Sequence, residues 1–377
     1  MSKHALLSAS SAHRWITCPP SARLCESCAD TASEFARQGT DAHSLAEYKL
    51  KHLLGMRARD PTEDLDYYDA EMESCTDGYA AFVMEKVEEA KKICADPLVL
   101  VEQRLDYSGY VPEGFGTGDA VIAADRKLTV CDLKYGKGIL VDAEENPQLM
   151  IYGLGALELF DGIYDIETVE LVIYQPRREN ISTYVISKDG LLAWARDILV
   201  PAAKLAYAGE GDFCAGDHCR FCKAKARCRK RAEYNLTLAQ YDFAPPAILE
   251  DAEVEIILSK AEELSAWAAD VKEYALKEAL HGHEWKDWKL VAGRSVRRYV
   301  DEEAVAEAVS RAGYEPYEKK LLGITAMTAA LGKKQFSEII EKAGLIEKPA
   351  GKPVLVPVSD KRPALNTAKE DFKDQEE

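Results

Sequence analysis

The feature that most constrains the fold is a series of three short β-strand patterns between residues 98 and 135. Apolar residues dominate 98–107, 116–124 and 127–135, and turn-forming residues separate these stretches. Strands that follow one another at this spacing are expected to pair with their chain neighbours. We therefore predict three consecutive strands arranged as a meander.

A helix pattern and two more strand patterns follow the meander. Residues 146–160 begin with Asn-Pro, a common helix start, and carry apolar side chains all round, which predicts a well-buried helix. Strand patterns at 169–176 and 181–187 then lead into an amphipathic segment at 190–208. Together with a helix predicted at 33–54, this order indicates an α/β fold of the α+β type, a mixed sheet with helices packed on it.

The net charge of the chain is strongly negative. The sequence has 48 basic and 65 acidic residues, giving −17, which argues against a protein whose whole surface coats nucleic acid. An acidic nuclease remains compatible, because its carboxylates hold metal ions while a few Lys and Arg residues contact phosphates. Basic clusters at 220–231 and 286–298 are either such contacts or solvated surfaces.

The sequence contains no signal for membrane insertion or secretion. No stretch approaches the roughly 18 apolar residues of a membrane span, and the N-terminus lacks the apolar run of a secretory signal. We expect a cytoplasmic protein with no membrane partner. Clustered cysteines in that reducing compartment more often bind metal or act in catalysis than form disulfides.

Two carboxylates and an amine fall on the predicted meander. Asp119 follows a glycine-rich turn, and Asp132 and Lys134 lie on one face of the next strand, so the hairpin can bring all three together. Such a set suits phosphodiester hydrolysis with Mg²⁺ or Mn²⁺, in which the carboxylates hold the ion and the amine stabilises charge. The alternative is an ordinary surface ion pair, but the apolar residues around Asp132 disfavour it.

Two predicted helices carry further candidates. His43 and Glu47 are four residues apart on the first helix, and Gln148 and Tyr152 are four apart on the buried one, so each pair projects from one face. The alternatives are a helix-surface or core histidine and simple helix packing.

These residues together resemble the RecB-like branch of the PD-(D/E)XK nuclease superfamily in order and spacing. The motif set is Gly39, His43, Glu47, Glu102, Gly118, Asp119, Asp132, Lys134, Gln148 and Tyr152. The resemblance implies a restriction-endonuclease-like core in which His43, Asp119 and Asp132 bind the metal. It also implies that Lys134 is catalytic, supported by Gln148 and Tyr152. Glu102 matches a more variable acidic position of the active site, and Glu47 is a weaker match.

A cysteine cluster is the second chemical signal. Cys219, Cys222 and Cys228 have the spacing C-x2-C-x5-C, which is typical of metal ligands. Three thiolates need a fourth ligand, and the candidates are Cys214, Cys18 and His218.

The resemblance also bears on this cluster. RecB-like nucleases with a [4Fe-4S] cluster, including CRISPR-associated exonucleases and AddB-type helicase subunits, have one cysteine before the nuclease core and three after it. Cys18 with Cys219, Cys222 and Cys228 looks like that pattern, so the cluster would join the two ends of the domain. Thiolates suit zinc as well, and structural Zn²⁺ is the alternative.

The C-terminal third has a different character. A long helix is predicted within 248–280, a basic hairpin at 285–300 and short helices at 301–345. We predict a nuclease domain at 1–235, a helical accessory region at 236–346 and an extended or disordered tail at 347–377. Nearly the whole chain is similar to an uncharacterised family of phage and prophage proteins classed as RecB-like nucleases.

The predicted function is metal-dependent DNA cleavage. We predict an exonuclease on single-stranded or end-exposed DNA. The similarity to the phage family implies a setting in phage replication or recombination within a bacterial host, with phage proteins as partners. One alternative is a non-catalytic DNA-binding or scaffolding protein that retains the fold. Another is a zinc-stabilised interaction protein in which Asp132 and Lys134 pair by coincidence.

Overall fold

A computed structural model describes most of the chain. The described residues are 5–28, 34–160, 162–237, 250–291, 301–311, 317 and 324–346. Contacts between Cα atoms divide the chain into two units, Met1–His281 and Gly282–Glu377.

The first unit contains five strands and nine described helices. The strands are β1 (Leu98–Asp106), β2 (Phe115–Ala124), β3 (Lys127–Leu133), β4 (Thr168–Gln175) and β5 (Asn180–Ser187). The helices before the sheet are α1 (Ala12–Thr17), α2 (Ser21–Glu26), α3 (Glu34–Leu53) and α4 (Ala70–Lys91). The later helices are α5 (Pro147–Leu159), α6 (Lys188–Trp194), α7 (Val200–Ala208), α8 (Arg229–Leu236) and α9 (Asp251–Leu280).

The five strands form one mixed sheet in chain order. The pairs β1–β2, β2–β3 and β4–β5 are antiparallel, whereas β3 and β4 are parallel and α5 connects them. A parallel pair needs a crossover segment, and here that segment is the helix predicted at 146–160. The predicted α+β class and the three-strand meander are therefore confirmed.

Helices cover both faces of the sheet. Val121 and Ala123 of β2 pack in the core that contains α5, α6 and α7, while Ala120 and Ile122 pack against α3 and α4. This alternation follows from the two-residue period of a strand. Because both faces are covered, β3 is buried along nearly its whole length.

Helix α5 lies unusually close to the sheet. It starts at Pro147, with the Asn146 side chain accepting hydrogen bonds from the backbone N–H groups of Gln148 and Leu149. Near its other end, a Cβ on Gly155 would lie 3.0 Å from the Leu105 Cβ and 3.2 Å from the Asp106 carbonyl oxygen. Glycine at this position lets the helix backbone approach β1.

Our prediction of the element order lacked helix α4. Asp69 caps it by accepting a hydrogen bond from the Met72 N–H, and the helix buries one face that includes Tyr79, Val83 and Val87. This three- and four-residue spacing is present in the sequence, but the acidic run at 60–77, which overlaps the start of α4, indicates only a solvated loop and a helix start. The helix also carries Tyr79, which lines the same cavity as His43, Glu102 and Asp119.

The predicted long helix is confirmed as α9, and its contacts tie it to the first unit. Arg231 of α8 is buried and pairs with Glu263 and Asp270 of α9. The predicted boundary at residue 235 therefore falls inside the first unit. No described helix combines the length and the hydropathy that crossing a membrane requires.

The second unit is described in part. It contains α10 (Glu302–Arg311) and α11 (Ile324–Phe336), which is interrupted at Gly332, where φ is 74°. Of the predicted basic hairpin, Trp285 and Trp288 form an isolated bridge, and 292–300 lie outside the described residues. The predicted tail at 347–377 also lies outside them.

We expect two glycine-to-alanine substitutions to change stability in opposite directions. Gly155→Ala should lower the free energy of unfolding by about 1–3 kcal/mol, because the new methyl group pushes α5 away from β1. Gly39→Ala should raise it by about 0.5–1 kcal/mol, because Gly39 lies inside α3 and no atom lies within 4 Å of the added Cβ. Urea unfolding followed by circular dichroism measures both. Equal stability of Gly155→Ala and wild type would contradict the close packing of α5.

Candidate metal and catalytic site

Strand register places three carboxylates in one row across the sheet. Val101 pairs with Ala120 and Gln103 with Gly118, so Glu102 stands opposite Asp119. The β2–β3 ladder ends at the pair Ala120 and Cys131, and Asp119 and Asp132 are the next residues on either side. The row therefore lies where the pairing of β2 and β3 stops.

Asp119 continues the interaction between these strands with its side chain. Its Oδ2 accepts a hydrogen bond of 2.7 Å from the backbone N–H of Leu133, and its Oδ1 lies 3.1 Å from His43 Nδ1. The neighbouring N–H of Lys134 donates to the Tyr174 carbonyl oxygen of β4. The carboxylate thus takes a place that a strand carbonyl would otherwise occupy, with one oxygen left facing His43.

Helix α3 supplies the histidine. Ala42, Ala46 and Leu50 bury one face of the helix, and His43 projects beside that face toward Asp119. Glu47, one turn later, forms an ion pair with Lys51 and lines the same small cavity as His43. The predicted pairing of His43 and Glu47 on one helix face is therefore borne out.

Glu102 has an uncommon backbone conformation for a strand residue. Its φ is 51°, in the left-handed region that non-glycine residues rarely adopt, and strain of this kind concentrates at functional sites. Ligand atoms of His43, Glu102 and Asp119 all lie within 4.8 Å of one another. Among the described residues, these three are the one group of His, Cys, Asp and Glu side chains close enough together to hold a metal ion.

The charges of this group influence one another strongly. Burial disfavours the charged imidazole, but Asp119 outweighs burial and raises the pKa of His43 to about 9. Burial and the Asp119 carboxylate raise the pKa of Glu102 to about 8. The pKa of Asp119 stays below its usual value in spite of burial, because His43 stabilises the carboxylate. A divalent cation would relieve the repulsion between the two carboxylates.

A second group is built around Lys134. Its Nζ lies 2.8 Å from Asp132 Oδ2 and donates a hydrogen bond of 2.8 Å to Gln148 Oε1. Gln148 Nε2 in turn donates to Asp132 Oδ1 at 2.9 Å. Helix α5 therefore contributes the residue that fixes both the Asp132 carboxylate and the Lys134 amine.

Asp132 keeps one oxygen incompletely satisfied. Oδ2 is buried and receives no well-directed hydrogen bond, although Lys134 Nζ is close. Burial raises the pKa of Asp132, and Lys134 opposes that rise. Such an oxygen is suited to act as a further ligand of a cation held beside Asp119.

Tyr152 lies one turn after Gln148 and is buried. Its ring lies against Gly116 of β2, where an added Cβ would come within 2.9 Å of Tyr152 Cε1. Burial raises the pKa of its hydroxyl well above the usual range. Tyr152 therefore packs the helix onto the strands, and it does so beside the carboxylate row.

Tyr79 is a site residue that sequence reasoning missed. It lines the cavity with His43 and Glu102, and its hydroxyl donates to the Cys131 carbonyl oxygen at 3.4 Å. Its own helix was absent from the predicted order, so nothing in the motif pattern pointed to it.

The cysteine-rich segment packs against the N-terminal helices. Cys18 Sγ accepts a hydrogen bond of 3.4 Å from the Cys214 N–H and interacts with His218. His218 Nε2 lies 3.8 Å from Cys219 Sγ. The two ends of the predicted domain are thus in contact, with Cys214 and His218 close to Cys219 and Cys18 close to both Cys214 and His218.

Cys222 contacts Cys25, a cysteine outside the predicted ligand set. Its Sγ lies 3.6 Å from Cys25 Sγ, and both side chains are buried. This contact lowers the pKa of Cys25 to about 5 and raises the pKa of Cys222. Cys228 precedes α8 and is half-buried.

The thiols are close but not gathered around one point. Among the described residues, no three of these donors lie within 4.8 Å of one another. A single zinc ion would require the side chains to converge, whereas thiolates on an iron–sulfur cluster bind different iron atoms and stand farther apart. The donor chemistry fits a soft metal centre in either case.

Three residues of the basic cluster at 220–231 contact helix α9, although most of the cluster is exposed. Arg231 is buried against α9, Lys225 pairs with Asp270, and Arg227 lies over the Tyr274 ring. These three residues serve packing between α9 and the cysteine-rich segment, so Arg231 is not a DNA contact.

Similarity to known proteins is seen with a solved structure and with a family profile. The chain is similar to the crystal structure of SSO0001, with 17% sequence identity, 49% of this chain and 95% of that chain covered, and a TM-score of 0.22. Similarity at that TM-score carries no argument about this protein. A family profile, by contrast, matches residues 4–363, nearly the whole sequence. The protein belongs to the family described as protein of unknown function (DUF2800).

Proposed function

We propose that this protein is a metal-dependent deoxyribonuclease of the RecB-like PD-(D/E)XK type. The observation that carries the proposal is the row of Glu102, Asp119 and Asp132, with His43 at one side and Lys134 at the other. The expected activity is that of an exonuclease on single-stranded or end-exposed DNA. The expected setting is phage replication or recombination within the host cytoplasm. The motif resemblance supports metal-dependent DNA cleavage, and the similarity to phage proteins supports the setting.

Each group has a role in the proposed reaction. His43, Glu102 and Asp119 would hold Mg²⁺ or Mn²⁺, with Asp132 Oδ2 as a further ligand. When bound, the ion supplies Lewis-acid stabilisation of charge on the phosphate. Lys134 stabilises developing negative charge or orients the attacking water, and Gln148 holds its amine at Asp132.

The role of Lys134 gives the primary test. Lys134→Ala should reduce cleavage of end-labelled linear single-stranded DNA about 10²- to 10³-fold with Mn²⁺ or Mg²⁺, because the charge on the phosphate loses its partner. The matched control is Lys127→Ala at the other end of β3, where the lysine pairs with Glu170. The control should cleave like wild type, and the end whose label disappears first gives the polarity.

Two results would contradict this mechanism. One is a folded Lys134→Ala protein that cleaves as well as wild type. The other is the absence of cleavage of single-stranded, double-stranded and flapped DNA by folded wild type with metal, which would favour a non-catalytic DNA-binding or scaffolding role.

The metal group predicts that Glu102→Gln becomes more stable than wild type as the pH rises. The folded-state pKa of Glu102 lies above the ordinary value of 4.5, so its ionisation destabilises the metal-free fold as pH rises from about 4.5 to 8. In EDTA, Glu102→Gln should match wild type at pH 5 and exceed it at pH 8.5 by on the order of 1–3 kcal/mol. Added Mn²⁺ should stabilise wild type more than the variant.

Urea unfolding at the two pH values measures this effect. Glu113→Gln is the control, because Glu113 is exposed and has a similar left-handed backbone, with φ of 54°. A pH-independent difference between Glu102→Gln and wild type, or equal stabilisation by Mn²⁺, would contradict the assignment of Glu102 to the metal group.

We also propose that Cys18, Cys219, Cys222 and Cys228 hold a [4Fe-4S] cluster. Anaerobically purified wild type should contain iron and absorb visible light, and Cys222→Ser should lose both and melt at a lower temperature, because the site joins distant segments. Cys94→Ser, outside this contact, is the control. Zinc without iron would contradict the cluster. Iron loss in Cys214→Ser but not in Cys18→Ser would identify Cys214, and not Cys18, as the fourth ligand.

A further inference from the structure

The loop that connects β3 to α5 joins the two elements that carry the catalytic candidates. Asp132 lies on β3, Lys134 directly follows that strand, and Gln148 is in the first turn of α5. The loop residues Ile139 and Leu140 are 40% and 53% exposed. Single exposed aliphatic residues are common on proteins, so the exposure needs a second observation before it acquires meaning.

That observation is the way in which Gln175 holds the loop. Its Nε2 donates hydrogen bonds to the carbonyl oxygens of Gly136 (3.1 Å) and Ile139 (2.8 Å), and its Oε1 accepts one from the Val141 N–H (3.1 Å). Gln175 is only 1% exposed. A buried amide is costly unless it is hydrogen-bonded, and here its bonds fix the loop backbone on both sides of the two aliphatic residues.

The same contacts keep the loop close to Lys134. The Lys134 N–H donates to the Tyr174 carbonyl oxygen, and Gln175 is the next residue of β4. The path from the Lys134 backbone nitrogen through Gln175 to the Ile139 carbonyl oxygen therefore limits the distance between these two atoms to about 15 Å. A strand whose phosphate reaches Lys134 has its next nucleotides within reach of Ile139 and Leu140.

Cationic side chains flank the loop. Lys137 lies within it and is more than half exposed, and Arg178 donates a hydrogen bond to the Lys137 carbonyl oxygen. Arg177 lies over the Tyr135 ring and pairs with Glu71, which also pairs with Lys137. Glu71 balances only one of these three cations, so the Lys137 side of the loop keeps positive charge beside a rigid apolar surface, whereas the loop beyond Val141 is acidic. The Lys137 side matches the chemistry of a single nucleic-acid strand, whose phosphates are anionic and whose bases have apolar faces.

We propose that Ile139 and Leu140 form a preorganised surface for the bases of single-stranded DNA that enters the candidate site. This proposal rests on the proposed nuclease function and adds how its substrate is bound. The surface favours a strand with unpaired bases, because paired and stacked bases do not expose their faces. Since Gln175 fixes the loop in advance, binding need not restrict the loop's motion further.

Equilibrium binding by the full chain tests the surface separately from cleavage. Fluorescence anisotropy compares a labelled 20-nucleotide oligothymidine with an abasic strand of equal length, with Ca²⁺ replacing Mn²⁺. Wild type should bind oligothymidine about tenfold more tightly than the abasic strand, and Ile139→Ser/Leu140→Ser should remove most of that preference. Affinity for the abasic strand and its salt dependence should not change, because the phosphate contacts remain.

A matched control and a gain-of-function variant sharpen the test. Leu159→Ser/Ile163→Ser changes two other exposed aliphatic residues, 42% and 71% exposed, and should keep the preference of wild type. Leu140→Phe should tighten oligothymidine binding about threefold, because an aromatic ring stacks on bases better than an aliphatic side chain.

The outcomes separate this proposal from the nuclease function. Lys134-dependent cleavage combined with an unchanged base preference in Ile139→Ser/Leu140→Ser would overturn only the surface. Loss of the preference in that variant without cleavage by wild type would support the surface and overturn the nuclease. A change in sedimentation of the variant without a change in base preference would overturn the surface in favour of a protein contact.

Discussion

The arrangement of the candidate site depends on the hydrogen bond from the Leu133 N–H to the Asp119 carboxylate. Strands β2 and β3 stop pairing at this point, and a buried N–H left without an acceptor would be costly. Asp119 satisfies the donor with one oxygen and directs the other toward His43. Asp119 therefore both satisfies the last donor of the β2–β3 ladder and supplies an oxygen to the candidate metal site.

Helix α5 makes the second contribution, because it sets the position of Gln148. Its glycine at 155 lets the helix lie against β1, and its capped start places Gln148 between Asp132 and Lys134. The carboxylates Asp119 and Asp132 are then held differently, one by a backbone N–H and a histidine, the other by an amine and an amide. Two neighbouring acidic groups with different partners can divide metal binding and charge stabilisation between them.

Much of the fold could be predicted from local sequence patterns. The meander, the buried helix and the long α9 follow from periodicity and end signals, which depend on residues close together in sequence. Helix α4 was missing from the predicted order because the acidic run at 60–77, which overlaps its first turns, indicated only a solvated loop and a helix start. The buried state of Arg231 was also missed, since its partners Glu263 and Asp270 lie more than thirty residues away.

The sequence by itself determined the strand order, the main helices other than α4, the candidate residues and the side of each element on which they lie, because backbone periodicity dictates those properties. Only the tertiary structure decided that Glu102 stands opposite Asp119 in a left-handed conformation and that Gln148 bridges Asp132 and Lys134. It also decided that Cys222 meets Cys25 and that Gln175 holds the loop at Ile139. These contacts join residues distant in the chain, and they depend on strand register and helix packing, which no local pattern encodes.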